Sequence, residues 1–166
     1  MLKILDHHLR QINEAYQGEV YGEAMYQAMA DAYHDTERKW PWLVLVQLEV
    51  ETKRVMRGLL LELGLSTNES VESRQAGLHE AARIKDMPWQ DMIIAFAADL
   101  PEMIVEYSKL RADLRAVGFH HEAISRLVEH EVVTLAFCER ELAGGANSIA
   151  PVLAMLEEPP PLPKVT

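Results

Sequence analysis

The sequence predicts an all-α, single-domain protein built on four long antiparallel helices. Four segments carry apolar residues at helical spacing, and almost nothing alternates with the period of a strand. One connection, between the second and third segments, is much longer than the other two.

The first helix is expected over residues 10–33, with Ile12, Ala15, Tyr16, Glu19, Gly22, Glu23, Tyr26, Met29 and Ala30 on its inward stripe. The second opens near Pro41, which suits a first-turn position, and ends at Gly64. Its stripe carries Trp42, Leu45, Glu49, Thr52, Met56 and Leu60. The third runs from Pro88 to Gly118, with Phe96, Leu100, Met103, Tyr107 and Leu114 inward and a kink expected at Pro101. The fourth covers residues 120–143, with Ile124, Leu127, Val128, Glu131, Thr134 and Cys138 inward, and stops at Gly144-Gly145. A short helix after Pro151 caps one end.

Short turns near residues 34–39 and at Gly118 make helices 1–2 and 3–4 antiparallel hairpins. The crossover over residues 65–87 distinguishes this topology from a simple up-down bundle. A short helix over residues 72–85, capped by Ser66 or Asn68, is expected inside it. The domain is drawn over residues 1–157, followed by a Pro-rich tail over 158–166 that cannot continue a helix.

The net charge of −10 disfavours nucleic acid, since duplex binding needs a basic face to neutralise phosphates. Lys109, Arg111 and Arg115 read as an ordinary solvated helix face. A single cysteine, Cys138, excludes an intramolecular disulfide framework and suits a small buried apolar role. The start of the chain is too short and polar for a signal peptide. No apolar run, that from Trp42 to Val46 included, approaches the roughly 20 residues of a membrane span, so a cytoplasmic protein is expected.

The chemistry lies in carboxylates on the apolar stripes. Glu19, Glu49 and Glu131 fall near the centres of their stripes, and an unpaired buried carboxylate is costly. Metal ions, basic partners or shared protons could each compensate. On the third helix Asp99, Glu102 and Glu106 lie off the stripe's centre. Glu106 and Glu131 stand equally far from the Gly118 turn, which makes Glu106 the first choice there and Glu102 the second.

The segment Gly18-Glu19-Val20-Tyr21-Gly22-Glu23-Ala24-Met25-Tyr26 resembles the first helix of ferritin-like di-iron carboxylate proteins, most of all rubrerythrins and demethoxyubiquinone hydroxylases. The resemblance spans residues 10–143 and implies two iron or manganese ions. In that pattern helices 1 and 3 each give a Glu, and helices 2 and 4 each give Glu-x-x-His. Glu19, Glu49, Glu106 (or Glu102) and Glu131 take the Glu positions. Thr52 and Thr134 stand where both histidines belong.

A threonine hydroxyl is a poor iron ligand beside imidazole. With Glu23 one turn beyond Glu19, the oxygen-rich set favours Mn²⁺, Mg²⁺ or Ca²⁺. The alternative is a metal-free network of these carboxylates with Thr52, Thr134, Tyr16, Tyr26 and Tyr107. His130 falls about 100° from Glu131 and is expected at the surface, and His120-His121 in the turn. Two functions follow: a di-metal oxidoreductase or oxygenase acting on a small organic substrate, or a degenerate bundle that binds a small ligand or serves as a structural module. A homodimer through a hairpin face is expected in either case.

Overall fold

The computed structural model describes residues 4–162, which are all-helical with no strand among them. The elements are α1 (Asp6–Ala32), α2 (Thr36–Glu62), α3 (Val71–Ile84), α4 (Trp89–Ala97), α5 (Leu100–Ala116), α6 (Glu122–Leu142) and α7 (Ala150–Leu153). No helix among the described residues is long and apolar enough to cross a membrane. The tail is described as far as Leu162, without helix after residue 153, and its last four residues lie outside the described ones.

α1 and α2 form one antiparallel hairpin and α5 and α6 the other, while α2 packs on α6 and α1 only lightly on α5. α2 begins five residues before Pro41, because the Asp35 side chain accepts the Arg38 N–H at 2.9 Å and fixes the start there. Pro41 is carried inside the helix, where its missing N–H leaves only the Glu37 carbonyl, in the first turn, unserved. α2 and α5 both stop at glycines in the left-handed region, Gly64 (φ +69°) and Gly118 (φ +82°). The bonds Leu65 N to Leu60 O and Phe119 N to Leu114 O close both ends in the Schellman pattern.

The expected third helix is two. α4 ends at Ala97 and α5 resumes at Leu100, with Pro101 in its first turn. The proline ring would collide with the Ala97 carbonyl four residues back and offers it no N–H, so the helix breaks there.

The crossover helix α3 is capped by Ser70, whose hydroxyl accepts the Ser73 N–H at 3.1 Å, in place of the expected Ser66 or Asn68. The segment before it is pinned to the bundle. Tyr16 Oη donates to Thr67 O at 3.0 Å, Gln17 Nε2 donates to Asn68 O at 2.9 Å, and Gln17 Oε1 accepts the Ser70 N–H at 2.8 Å. α3 lies so close to α1 that Gly77 has no room for a side chain: a Cβ there would run into Tyr21 O and stand 3.1 Å from Met25 N.

Two apolar clusters fill the interior. One gathers Met25, Tyr26, Met29, Trp42, Leu45, Leu48, Ile93, Phe137 and Cys138. The other gathers Ile12, Tyr16, Val20, Met56, Leu59, Leu110, Leu114 and Leu127. Along α1, α2 and α6 a layer of buried or half-buried polar residues lies between them: Glu19 and Glu23; Glu49, Glu51 and Thr52; and His130, Glu131 and Thr134. The buried arc of α6 is wider than one stripe and takes in Ala123, Leu127, His130, Thr134 and Phe137 as well as Glu131 and Cys138.

Gly77→Ala is expected to force α1 and α3 apart and lower stability by about 1–3 kcal/mol. Gly58, in α2 with nothing within 4 Å of a Cβ, is the control. Gly58→Ala should stabilise by roughly 0.5–1 kcal/mol in the same chemical denaturation experiment.

Candidate metal centre

The polar layer between the clusters brings three side chains from three helices together. Glu19 of α1, Glu49 of α2 and His130 of α6 are 2%, 3% and 2% exposed. One donor atom from each lies within 4.8 Å of the others. His130 Nδ1 stands 3.2 Å from Glu19 Oε2, and Nε2 stands 3.3 Å from Glu49 Oε1. The two short separations use different ring nitrogens, and one imidazole offers a given ion only one of them. A single ion at these three residues would draw the donors in from within 4.8 Å to the about 3 Å spacing of ligands bound at 2.0–2.1 Å.

Each helix contributes for a local reason. Gly22, one turn after Glu19, is the recess that admits Glu49: a Cβ there would stand 2.6 Å from Glu49 Cδ and closer still to Oε1. Thr52 Oγ1 lies 3.2 Å from His130 Nδ1 and accepts the Nε–H of Arg126 at 3.1 Å. Thr134 spends its hydroxyl on the His130 carbonyl one turn back, at 2.8 Å. The two threonines thus sit beside the imidazole and supply neither of the expected ring nitrogens.

His130 is the residue that sequence reasoning missed. The expectation of a surface histidine is overturned by its burial. α6 is covered on more than one side, by α2, α4, α5 and α7, so a side chain 100° from Glu131 is still inside. The signal was the row Ala123, Leu127, His130, Thr134, Phe137, which has helical spacing and ends in a large aromatic.

Of the other candidates, Glu131 is buried beside the trio and lines the same cavity. Glu102 and Glu106 are exposed, since Tyr107 occupies the inward position of α5. Glu23 is drawn away from the trio by Lys53, which also holds Glu69 at 2.7 Å. His120 is exposed, and His121 caps α6 by accepting the Ala123 N–H at 3.1 Å.

The electrostatics are those of an acid layer short of donors. Glu19 Oε2 and Glu49 Oε2 are buried with no hydrogen-bond donor among the described residues. Nδ1 of the imidazole lies at ion-pair range of Glu19 Oε2 without the alignment of a hydrogen bond, and Nε2 faces the other oxygen of Glu49. Burial, then the Glu19 charge, holds the Glu49 carboxyl well above the usual range, against the pull of His130. Burial pushes Glu131 up to about 7, with His130 opposing the rise and Glu19 adding to it. For His130 burial acts downward, but the charges of Glu19 and Glu49 outweigh it and hold the imidazole well above its ordinary value. Tyr26 and Tyr107 are pushed up by burial and by the same three glutamates, so both keep their hydroxyl protons.

A cavity of about 100 Å³ opens from these acids towards the α4–α5 break. Its walls are Gly18, Gly22 and Met25 of α1, Phe96 of α4, Leu100, Met103 and Tyr107 of α5, and Glu131. Glu80 and Asp99 stand in its wall as well, and no Lys, Arg or His lines it.

The signs of the shifts fix a pH dependence for the metal-free protein. A carboxyl raised in the folded state favours folding below its unfolded value near 4.3 and loses that contribution as pH rises through the folded value. Glu131 and Glu49 act this way, and His130 loses its contribution as pH rises above 6.5 through its own raised value. Stability should therefore fall between about pH 4.5 and 7, and Glu131→Gln should remove up to about 3 kcal/mol of that fall in urea titrations across pH. A profile unchanged by the substitution would contradict the assignment.

No family model matches the chain, and no curated protein or solved structure matches it.

Proposed function

We propose that the chain is a ferritin-like four-helix bundle that holds one divalent first-row metal ion at Glu19, Glu49 and His130 and works as an oxidoreductase on a small organic molecule. The bundle reading rests on two antiparallel hairpins joined by the long crossover, with α4 and α5 together taking the place of one helix. The observation that carries the metal reading is the pair of buried carboxylate oxygens without donors beside a buried imidazole. Two carboxylates and one imidazole make an oxygen-rich set suited to Fe²⁺ or Mn²⁺. A second ion, as the family resemblance implies, would need Glu131 and a carboxylate from α5, and both Glu102 and Glu106 face solvent.

An ion held there would supply Lewis-acid or one-electron redox chemistry. The chain's own residues define the rest. Glu131, titrating at about 7, can hold or release a proton at the cavity wall near neutral pH. Tyr26 and Tyr107, kept protonated, are donors along the same wall. Met25, Phe96, Leu100 and Met103 exclude water and bind an apolar body. With acids and no base in the lining, a neutral or cationic substrate is favoured over an anionic one.

The same distances support a metal-free reading. A protonated His130 between Glu19 and Glu49 offsets one of the two charges, and a proton on Glu49, whose carboxyl is held above its usual range, offsets the other. That would make the layer structural and the cavity a small-ligand site. One experiment separates the two: elemental analysis of protein purified without chelators, together with anaerobic Fe²⁺ and Mn²⁺ titration. The metal reading expects one ion per chain. Glu49→Gln should weaken binding by more than about 100-fold, beyond the 10- to 100-fold typical of an outer partner, while Glu106→Gln leaves it unchanged. No uptake by the wild type would establish the metal-free reading; uptake of two ions would overturn the single-ion assignment.

A further inference from the structure

Behind His130 lies a chain of polar contacts that leads through Glu51 of α2 and ends on the backbone N–H groups of Glu157 and Glu158, 106 and 107 residues along the chain from Glu51. Glu51, the neighbour of Thr52, is buried at 4% exposure. Its carboxylate accepts the Glu157 N–H at 3.1 and 3.0 Å, the Glu158 N–H at 3.0 Å and the Gln47 amide at 3.2 Å. It also accepts an Nη2 hydrogen of Arg126 at 3.1 Å, while Arg126 Nε donates to Thr52 Oγ1 at 3.1 Å. Thr52 Oγ1 then meets His130 Nδ1 at 3.2 Å.

We propose that Arg126 is a positioning residue for His130, locked in place by a clamp formed by Glu51 and the backbone of residues 157–158. A guanidinium carries donors only and stays charged, so Thr52 Oγ1 must accept from it. That obligation leaves one lone pair and the hydroxyl hydrogen of Thr52 for the imidazole. The contact sets the ring with Nδ1 towards Thr52 and Glu19 and Nε2 towards Glu49. Arg126 can do this because its planar fork reaches two acceptors on adjacent α2 residues at once, which a lysine ammonium on a flexible stem cannot reproduce. Glu51 in turn holds Arg126 only as firmly as the C-terminal segment fills the other acceptor sites of its carboxylate. Docking of residues 157–158 is thereby coupled to the orientation of the buried imidazole. Its consequence for metal affinity rests on the metal reading above; its consequence for the imidazole does not.

The test uses full-length protein with Thr52→Val, Thr52→Ser, Arg126→Lys and Glu157→Pro, the last removing one N–H from the clamp. The ring ¹⁵N resonances of His130 are recorded without metal, and Co²⁺ affinity and visible absorption are measured alongside. Thr52→Val and Arg126→Lys should shift the ring resonances and lower Co²⁺ affinity about 10- to 100-fold with an altered absorption band. Thr52→Ser should restore both, Glu157→Pro should give a smaller change of the same kind, and the Arg126→Lys/Thr52→Val pair should add nothing to Thr52→Val alone. Should Arg126→Lys fail to fold, Glu51→Gln takes its place with the same expectation. Ring resonances unmoved by Arg126→Lys, or by Glu51→Gln in its stead, would overturn the proposal. A wild type that takes up no Co²⁺ would sink the metal reading, and the resonances would still decide the positioning role.

Discussion

The structure turns on the burial of acid across its middle. Carboxylates removed from water are costly unless something nearby neutralises them, and the cost of an unpaired one is several kcal/mol. Between the two apolar clusters, Glu19, Glu49, Glu51 and Glu131 are all nearly inaccessible. The neutralising groups are distributed one to a neighbourhood: His130 for Glu19 and Glu49, Arg126 for Glu51, and Lys53 for half-buried Glu23 at the layer's edge. Among the described residues Glu131 has no basic partner within ion-pair distance, and burial pushes its carboxyl up to about 7, so that a proton can take that place.

That distribution explains features that otherwise look unrelated. The crossover is held against α1 and α2 because Glu69, at its end, shares Lys53 with Glu23 and gathers Arg57 and Arg74 as well. The C-terminal segment is held against α2 because Glu51 needs donors beyond Arg126, and backbone N–H groups supply them. For Glu51 burial acts upward, but the N–H groups of Glu157 and Glu158, the Gln47 amide and the Arg126 charge hold its carboxyl below the usual range. The long connection and the tail are thus tied to the same polar layer as the centre.

Much of the helical framework was legible in the sequence. Helical periodicity located the long segments, and glycine marked where α2 and α5 end. Departures came where a side chain outranked a pattern. Asp35 capped α2 so that it begins five residues before the proline that looked like its start, and Pro101 divided a helix that was expected to kink or become irregular there. At the site, Glu19, Glu49 and Glu131 could be read as inward because each stood at the centre of an apolar stripe. His130 was missed because a single-stripe reading assumes one neighbour, and α6 packs against α2, α4, α5 and α7. Glu106 was chosen by height along the bundle, which carries no information about the direction in which a side chain leaves its helix. The likeness in α1 to di-iron proteins implied a histidine at the position of Thr134, one helical turn beyond the His130 that this chain carries.

The gap at Ala97–Leu100 has a consequence for how the interior communicates with solvent. Most packing defects can heal, since a shifted rotamer or a larger side chain closes them at little expense. This one arises from a hydrogen that proline does not possess, so no rearrangement of neighbours restores the missing helical bond. The break that Phe96 and Leu100 flank in the cavity wall is accordingly written into covalent structure, while the shape of the cavity is left to side chains that can vary. The site of the break and the selectivity of the cavity are thus governed by different residues, and the lining could be retuned without moving the helix ends beside it.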